Sequence, residues 1–166
     1  LEQGRGKIFQ EHDFIIPAGD FYVNGLVDHV YLGEGGIEIV DFKSNWITHD
    51  QVTQVGAGYD VQLRLYAWAM AREFGLPVIS SQAYFLIPNR LYGLESRLLD
   101  ADQTEEWLIK TCTDIIQGSE QGAAAFPIRS DCSLCPQNAY CRTSNDVSPF
   151  GENTGIDMEW AKEELL

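Results

Sequence analysis

The chain has 166 residues, 45% of them apolar and 22% charged, which is the make-up of a globular domain with a full core. Eleven basic against 25 acidic residues leave a net charge of −14, which excludes a generic basic protein that coats nucleic acid, though not an enzyme acting on it. No run of 18 apolar residues exists to cross a membrane, and the start, "LEQGRGKIFQ", has no apolar signal-peptide core, so a cytoplasmic protein is expected. That start reads equally as the edge of an excised domain and as a natural disordered beginning. In chain order, "HDFIIP" (12–17) and "FYVNGLVDHVYL" (21–32) form a predicted β-hairpin punctuated by Pro17, Gly19 and Asp20. A turn at "GEGG" (33–36) opens a third strand over 35–44. The turn lacks the strand–loop–helix context of a phosphate loop. Residues 50–75 read as a helical region ending at Gly75, surest over 59–74, with "VGAG" a loop or a helix start. A strand over 80–88 and a partner over 90–99 follow, joined at Pro88-Asn89. An amphipathic helix over 102–118 comes next, capped by Asp100 or Asp102. The order is β-β-β-α-β-β-α. A cysteine-bearing segment follows, then an acidic tail whose Trp160, Leu165 and Leu166 fall at roughly helical spacing.

The stretch "EIVDFKSN" (38–45) raises the chemical question. Asp41 and Lys43 are two apart, so a strand puts a carboxylate and an ammonium on one face. On the preceding strand "NGLVDHV" carries Asp28, and pairing around the "GEGG" turn brings Asp28 and Asp41 toward one end of a sheet. Two carboxylates and the Phe42 carbonyl make an oxygen-rich site for a hard cation such as Mg²⁺ or Mn²⁺. Lys43 beside it can orient or help deprotonate a water, or stabilise charge on phosphate oxygens. Gln62 and Tyr66, four apart on a helix, share a face. Cys132, Cys135 and Cys141 crowd into ten residues, a clustering that favours metal over disulfides. Cys112, on the inner face of the last helix, reads as a core cysteine. Trp46 reads as a packing residue, with contact to nucleic acid as the alternative. Arg64, Arg90 and Arg97 read as solvated arginines that can meet phosphates.

Gly25-Leu26-Val27-Asp28, then Asp41-Phe42-Lys43, then Gln62-Leu63-Arg64-Leu65-Tyr66 resemble, in this order, the G-x-x-D, D-x-K and Q-x-x-x-Y motifs of the PD-(D/E)XK nuclease superfamily, more narrowly its RecB-like branch. The resemblance covers about residues 11–70, and the cysteines extend it to 141. It implies an α/β fold: a restriction-endonuclease-like core with a central mixed sheet flanked by helices, and a C-terminal cysteine-bearing segment. It divides the chain into a nuclease core (1–131), a cysteine segment (132–141) and an acidic tail (142–166). By resemblance Asp28 and Asp41 bind Mg²⁺ or Mn²⁺, and Asp28, Asp41 and Lys43 are catalytic. Gln62 and Tyr66 line the DNA side, and Glu11 is a minor acidic candidate.

The three cysteines are similar to those that hold a 4Fe-4S cluster in AddB-type helicase–nuclease subunits and CRISPR-associated relatives, with zinc as the alternative. The implied protein is a metal-dependent DNA exonuclease domain of repair or recombination, attached to a helicase domain or subunit. The other reading is an inactive nuclease-like module for DNA binding or scaffolding in a helicase complex. A zinc-ribbon interaction domain built on the cysteines is a weaker one. The sequence departs from the branch in one respect. No helix bearing a metal-binding His precedes Glu11, and His12, His29 and His49 do not match that position. The fourth, upstream cysteine is absent as well.

Overall fold

A computed structural model describes residues 6–121 of the chain. The sheet begins with β1 (Lys7–Ala18), β2 (Phe21–Gly33) and β3 (Gly36–Lys43), an antiparallel meander. A 3-10 turn (His49–Gln51), α1 (Val52–Ala57) and α2 (Asp60–Phe74) then carry the chain across to β4 (Val78–Phe85), which lies parallel to β3. A parallel neighbour needs such a helical crossover, since a tight turn can only reverse the chain. The short β5 (Arg90–Gly93) closes the sheet in the order β1-β2-β3-β4-β5, and α3 (Ala101–Gln121) follows. The expected mixed α/β sheet with helices packed on it is what forms. Residues up to Cys112 make one compact unit. The rest of α3, from Thr113, belongs to a second unit. Cys132, Cys135 and Cys141 and the tail lie outside the described residues.

One core joins the strands to α2. Phe14, Val27, Val30, Ile37 and Ile39 meet Ala67, Trp68, Met70 and, from α3, Leu108. A second cluster joins Val52, Leu63, Ala83, Phe85 and Leu94. Cys112 is free and partly buried against the first cluster, in keeping with its reading as a core cysteine.

The expected boundaries shift: β4 spans Val78–Phe85 rather than 80–88, and four further changes have a visible cause. First, β1 starts at Lys7 and not His12. Its buried side falls on Phe9 and then on His12, three residues apart, because Glu11 takes a left-handed φ of +49° and slips the alternation. Second, the single helical region divides between α1 and α2. At Gly56 a Cβ would lie 2.3 Å from the Tyr92 ring, so only glycine lets β5 press against α1. The end at Gly75 is as expected: its φ of +64° makes a left-handed cap whose N–H donates to the Ala71 carbonyl at 3.0 Å. Third, β5 stops at Gly93, and Ser96–Leu99 coil into a 3-10 turn. Fourth, α3 begins one residue early, and Asp100 is its cap. Asp100 Oδ1 accepts the Gln103 N–H at 2.9 Å, while Asp102 pairs with Arg72.

Candidate active site

The site forms where the sheet comes apart. The β2–β3 ladder runs from Gly33↔Gly36 to His29↔Val40 and stops. The next facing pair would be Asp28 and Asp41. Instead the Phe42 N–H donates to Asp28 Oδ2 at 2.8 Å, so a side chain replaces the strand as its acceptor. The β1–β2 ladder is interrupted at the same level, between Gln10↔His29 and His12↔Val27, where Glu11 holds its left-handed conformation. Both neighbours of the Asp28 segment therefore let go of it together. The opening is a pocket of about 730 Å³ lined by Gln10, Glu11, Asp28, His29 and Phe42. His29 and Gln10 owe their place there to this interruption, which no local sequence signal announces.

On the helix-packed face, Asp41 and Lys43 stand two apart as strand geometry requires. Asp41 is only 3% exposed. The Lys43 Nζ lies 2.5 Å from its Oδ2, a buried ion pair, and among the described residues no other group donates to that oxygen. Burial pushes the Asp41 carboxyl above its ordinary range, the Lys43 ammonium pulls it back, and the negative charge of Asp28 adds to the rise. The ammonium also donates to Gln62 Oε1 at 2.8 Å and sits 4.1 Å over the Tyr59 ring. A cation above an aromatic face is attracted by the ring quadrupole. The Tyr59 contact was not expected, since it depends on the helix break that sets Tyr59 between α1 and α2.

Gln62 is the hinge of this network. Its Nε2 donates to Tyr66 Oη at 2.8 Å and, at 3.5 Å, to Asp41 Oδ1. Burial raises the Tyr66 phenol, the Gln62 bond opposes this, and the charges of Asp41 and Asp28 raise it further. Asp41, Lys43, Gln62 and Tyr66 are thus brought into one connected network, and Asp28 joins through the Phe42 peptide. Arg64 is turned away toward α3, where its Nε donates to Thr104 Oγ1 at 3.0 Å. Arg90 bonds the carbonyl of Asn89 and Arg97 pairs with Glu95, so neither forms part of this network. His12 pairs with Glu73 at 2.8 Å on the far end of α2. Trp46 corrects an expectation: it is 88% exposed and does not pack.

Whether these residues suit a cation is tested by their own bonding. Among the described residues no three His, Cys, Asp or Glu side chains cluster as a ready metal cage. Yet the buried Asp41 Oδ2 has the Lys43 ammonium as its one partner among the described residues, and Asp28 is close enough to raise the Asp41 pKa. Two carboxylates in mutual repulsion, balanced by a single ammonium, fit a divalent cation that completes its shell with water and phosphate oxygens.

A search among curated proteins finds no match to the chain. A family model, the PD-(D/E)XK nuclease superfamily, matches residues 2–142, which takes in all five strands, the pocket and the Asp41–Lys43–Gln62–Tyr66 network. With that match spanning most of its length, the chain belongs to the PD-(D/E)XK nuclease superfamily.

Proposed function

We propose that this chain is a metal-dependent DNA nuclease domain, with Asp28 and Asp41 as ligands of Mg²⁺ or Mn²⁺ and Lys43 as the catalytic base partner or charge stabiliser. The observation that carries this reading is the pair of carboxylates, Asp28 and Asp41, brought close where the strands part, with the Lys43 ammonium balancing the buried one. Bound there, the cation supplies an activated water and polarises the phosphodiester. The protein's own part is positioning. Asp28, fixed by the Phe42 N–H, holds one carboxylate at the mouth of the pocket. Lys43 is aimed by two contacts, the Gln62 carbonyl and the Tyr59 ring, so its charge meets phosphate oxygens without reorganising. The Tyr66 hydroxyl accepts from Gln62, which leaves its own O–H to donate toward the substrate backbone.

The finer reading is a RecB-like exonuclease of DNA repair or recombination, working in the cytoplasm beside a helicase domain or subunit. In that reading Cys132, Cys135 and Cys141 hold an iron–sulfur cluster or zinc in a segment of their own. Its support is the order and spacing of the sequence motifs.

The test is cleavage of DNA by the full chain with Mg²⁺ or Mn²⁺ and with chelator, wild type against Asp41→Asn. We expect the variant to cut at least about 100-fold more slowly, since loss of even an indirect metal contact costs 10- to 100-fold. Calorimetric titration of Mn²⁺ should lose its binding in the same variant. Equal cleavage by the two proteins would refute the assignment.

A further inference from the structure

Trp46 is the most exposed of the large apolar side chains among the described residues, at 88%. Its neighbours are fixed. The Asn45 side chain accepts the Tyr59 hydroxyl at 3.2 Å, and the Ile47 N–H donates to the Asn45 carbonyl at 3.1 Å. Ile47 packs against the cluster of Val52, Leu63, Phe85 and Leu94, and the Thr48 N–H donates to Gln51 Oε1 at 2.9 Å. A loop anchored on both sides holds a bare indole outward. An indole so placed has lost backbone freedom without gaining burial, which is the economy of a binding contact rather than of a core.

The anchor ties Trp46 to the chemistry. The ring of Tyr59, whose hydroxyl grips Asn45, is the one beneath the Lys43 ammonium. Trp46 follows Lys43 by three residues, a span of at most about 10 Å. A strand advances about 3.4 Å per nucleotide, so a backbone span this short keeps a base on Trp46 within a few nucleotides of the Lys43 segment.

Charge narrows the ligand. The net charge is −14, and three of the four arginines of the described region are bonded to other side chains. Arg64 and Arg72 bond to α3, Arg97 pairs with Glu95, and Arg90 bonds the Asn89 carbonyl. Among the described arginines phosphate contact is a weak source of affinity, so beside the Lys43 and cation contacts proposed above, attraction through base faces is the further one. In a duplex those faces are stacked away. In a single strand they are open, and each base stacked on an aromatic side chain contributes about 1–3 kcal/mol.

We propose that Trp46 is a stacking platform for an unpaired base and that it directs this site to single-stranded DNA. The proposal rests on the nuclease reading for its substrate, and adds the strand state and the residue that selects it.

The experiment measures binding of labelled oligothymidylate and of a blunt DNA duplex to the full chain by fluorescence anisotropy. Ca²⁺ replaces Mg²⁺, and the strands are checked for integrity on gels. Trp46→Ala should weaken the single strand by about 10- to 100-fold, the equivalent of the stacking contribution, and leave the duplex unchanged. Trp46→Phe should keep most of the affinity, and the salt dependence should not change between variants, because no phosphate contact is removed. In Mg²⁺, single-strand cleavage by Trp46→Ala should show a raised KM and an unchanged kcat. Melting temperatures of the variants should match the wild type, since the side chain buries nothing.

Unchanged single-strand binding in Trp46→Ala overturns the proposal. So does an equal loss on strand and duplex, which would mark the indole as serving something other than an unpaired base. The nuclease reading is separate. It fails if Asp41→Asn cleaves like wild type, whereas Trp46→Ala with wild-type binding sinks only the stacking platform.

Discussion

Helix α2 carries two rows of polar side chains at four-residue steps, and they end differently. Toward α3 run Arg64, Trp68 and Arg72. Arg64 bonds Thr104 and the Gln103 carbonyl and lies 4.5 Å over the Trp107 ring. The Trp68 indole N–H and the Arg72 Nε share Glu105 Oε2, at 3.1 and 2.7 Å, and Arg72 reaches Asp102 at 2.7 Å. Toward β3 run Gln62 and Tyr66, which join Lys43 and Asp41 and stop at a buried oxygen whose one partner among the described residues is the Lys43 ammonium. The first row closes on itself and fastens two helices. The second ends on a buried carboxylate held by one ammonium, and a buried charge with so few partners is a cost to stability that persists where chemistry uses it. The burial of the charges, rather than their number, separates the fastening from the site.

Breaking the buried row should have the larger effect. Lys43→Met removes the sole counter-charge of a buried carboxylate, the two side chains being 14% and 4% exposed, and should destabilise by about 3 kcal/mol. Adding Asp41→Asn should recover most of that loss, because the stranded charge is then gone. Urea unfolding of the single and double variants measures both. If the double variant is no better than Lys43→Met, the Asp41 charge is not what the lysine holds in place.

In the closed row, Arg72→Ala breaks pairs whose arginine is 37% exposed and whose Asp102 is 84% exposed. The expected loss is about 1 kcal/mol or less, and it should shrink further in high salt. A drop as large as that of Lys43→Met would erase the contrast between the two rows.

The smallest effect is a sharper probe. The Trp68 indole N–H, and after it Arg72, hold the Glu105 carboxyl below its ordinary value of 4.5. A depressed folded pKa means the ionised form is favoured in the folded state. Its stabilisation is present above the unfolded value near 4.5 and is lost as pH falls through the lower folded one. Urea midpoints followed from neutral pH down through 4.5 should fall less steeply in Glu105→Gln than in wild type. Parallel acid limbs would show that Glu105 contributes nothing through its charge.

Much of this was legible in the sequence. Strand periodicity, the glycine at the end of α2 and the order of the three motifs led to a mixed α/β sheet and to a candidate set that the fold gathers at one place. The illegible parts share a cause: each depends on a partner distant in the chain. The slip at Glu11 hid the first part of β1, because alternation that skips a beat looks like none. Val27 and Val30, both buried and three apart, carry the same slip on β2. Trp46 was expected to pack because large aromatics usually do. Its exposure follows from anchors on either side that only the folded loop reveals. Tyr59 and His29 gained their places from a helix break and a ladder interruption that leave no composition signal.

The Phe42 amide is where these threads meet. Its proton is shared with Asp28 Oδ2 at the point where β2 and β3 part. It is therefore an indicator already built into the backbone. Anything that draws on the Asp28 carboxylate alters the field at one peptide N–H, fourteen residues away in sequence. A single resonance of isotopically labelled protein thus follows the occupancy of the site directly, with no reporter attached to either the ion or the nucleic acid.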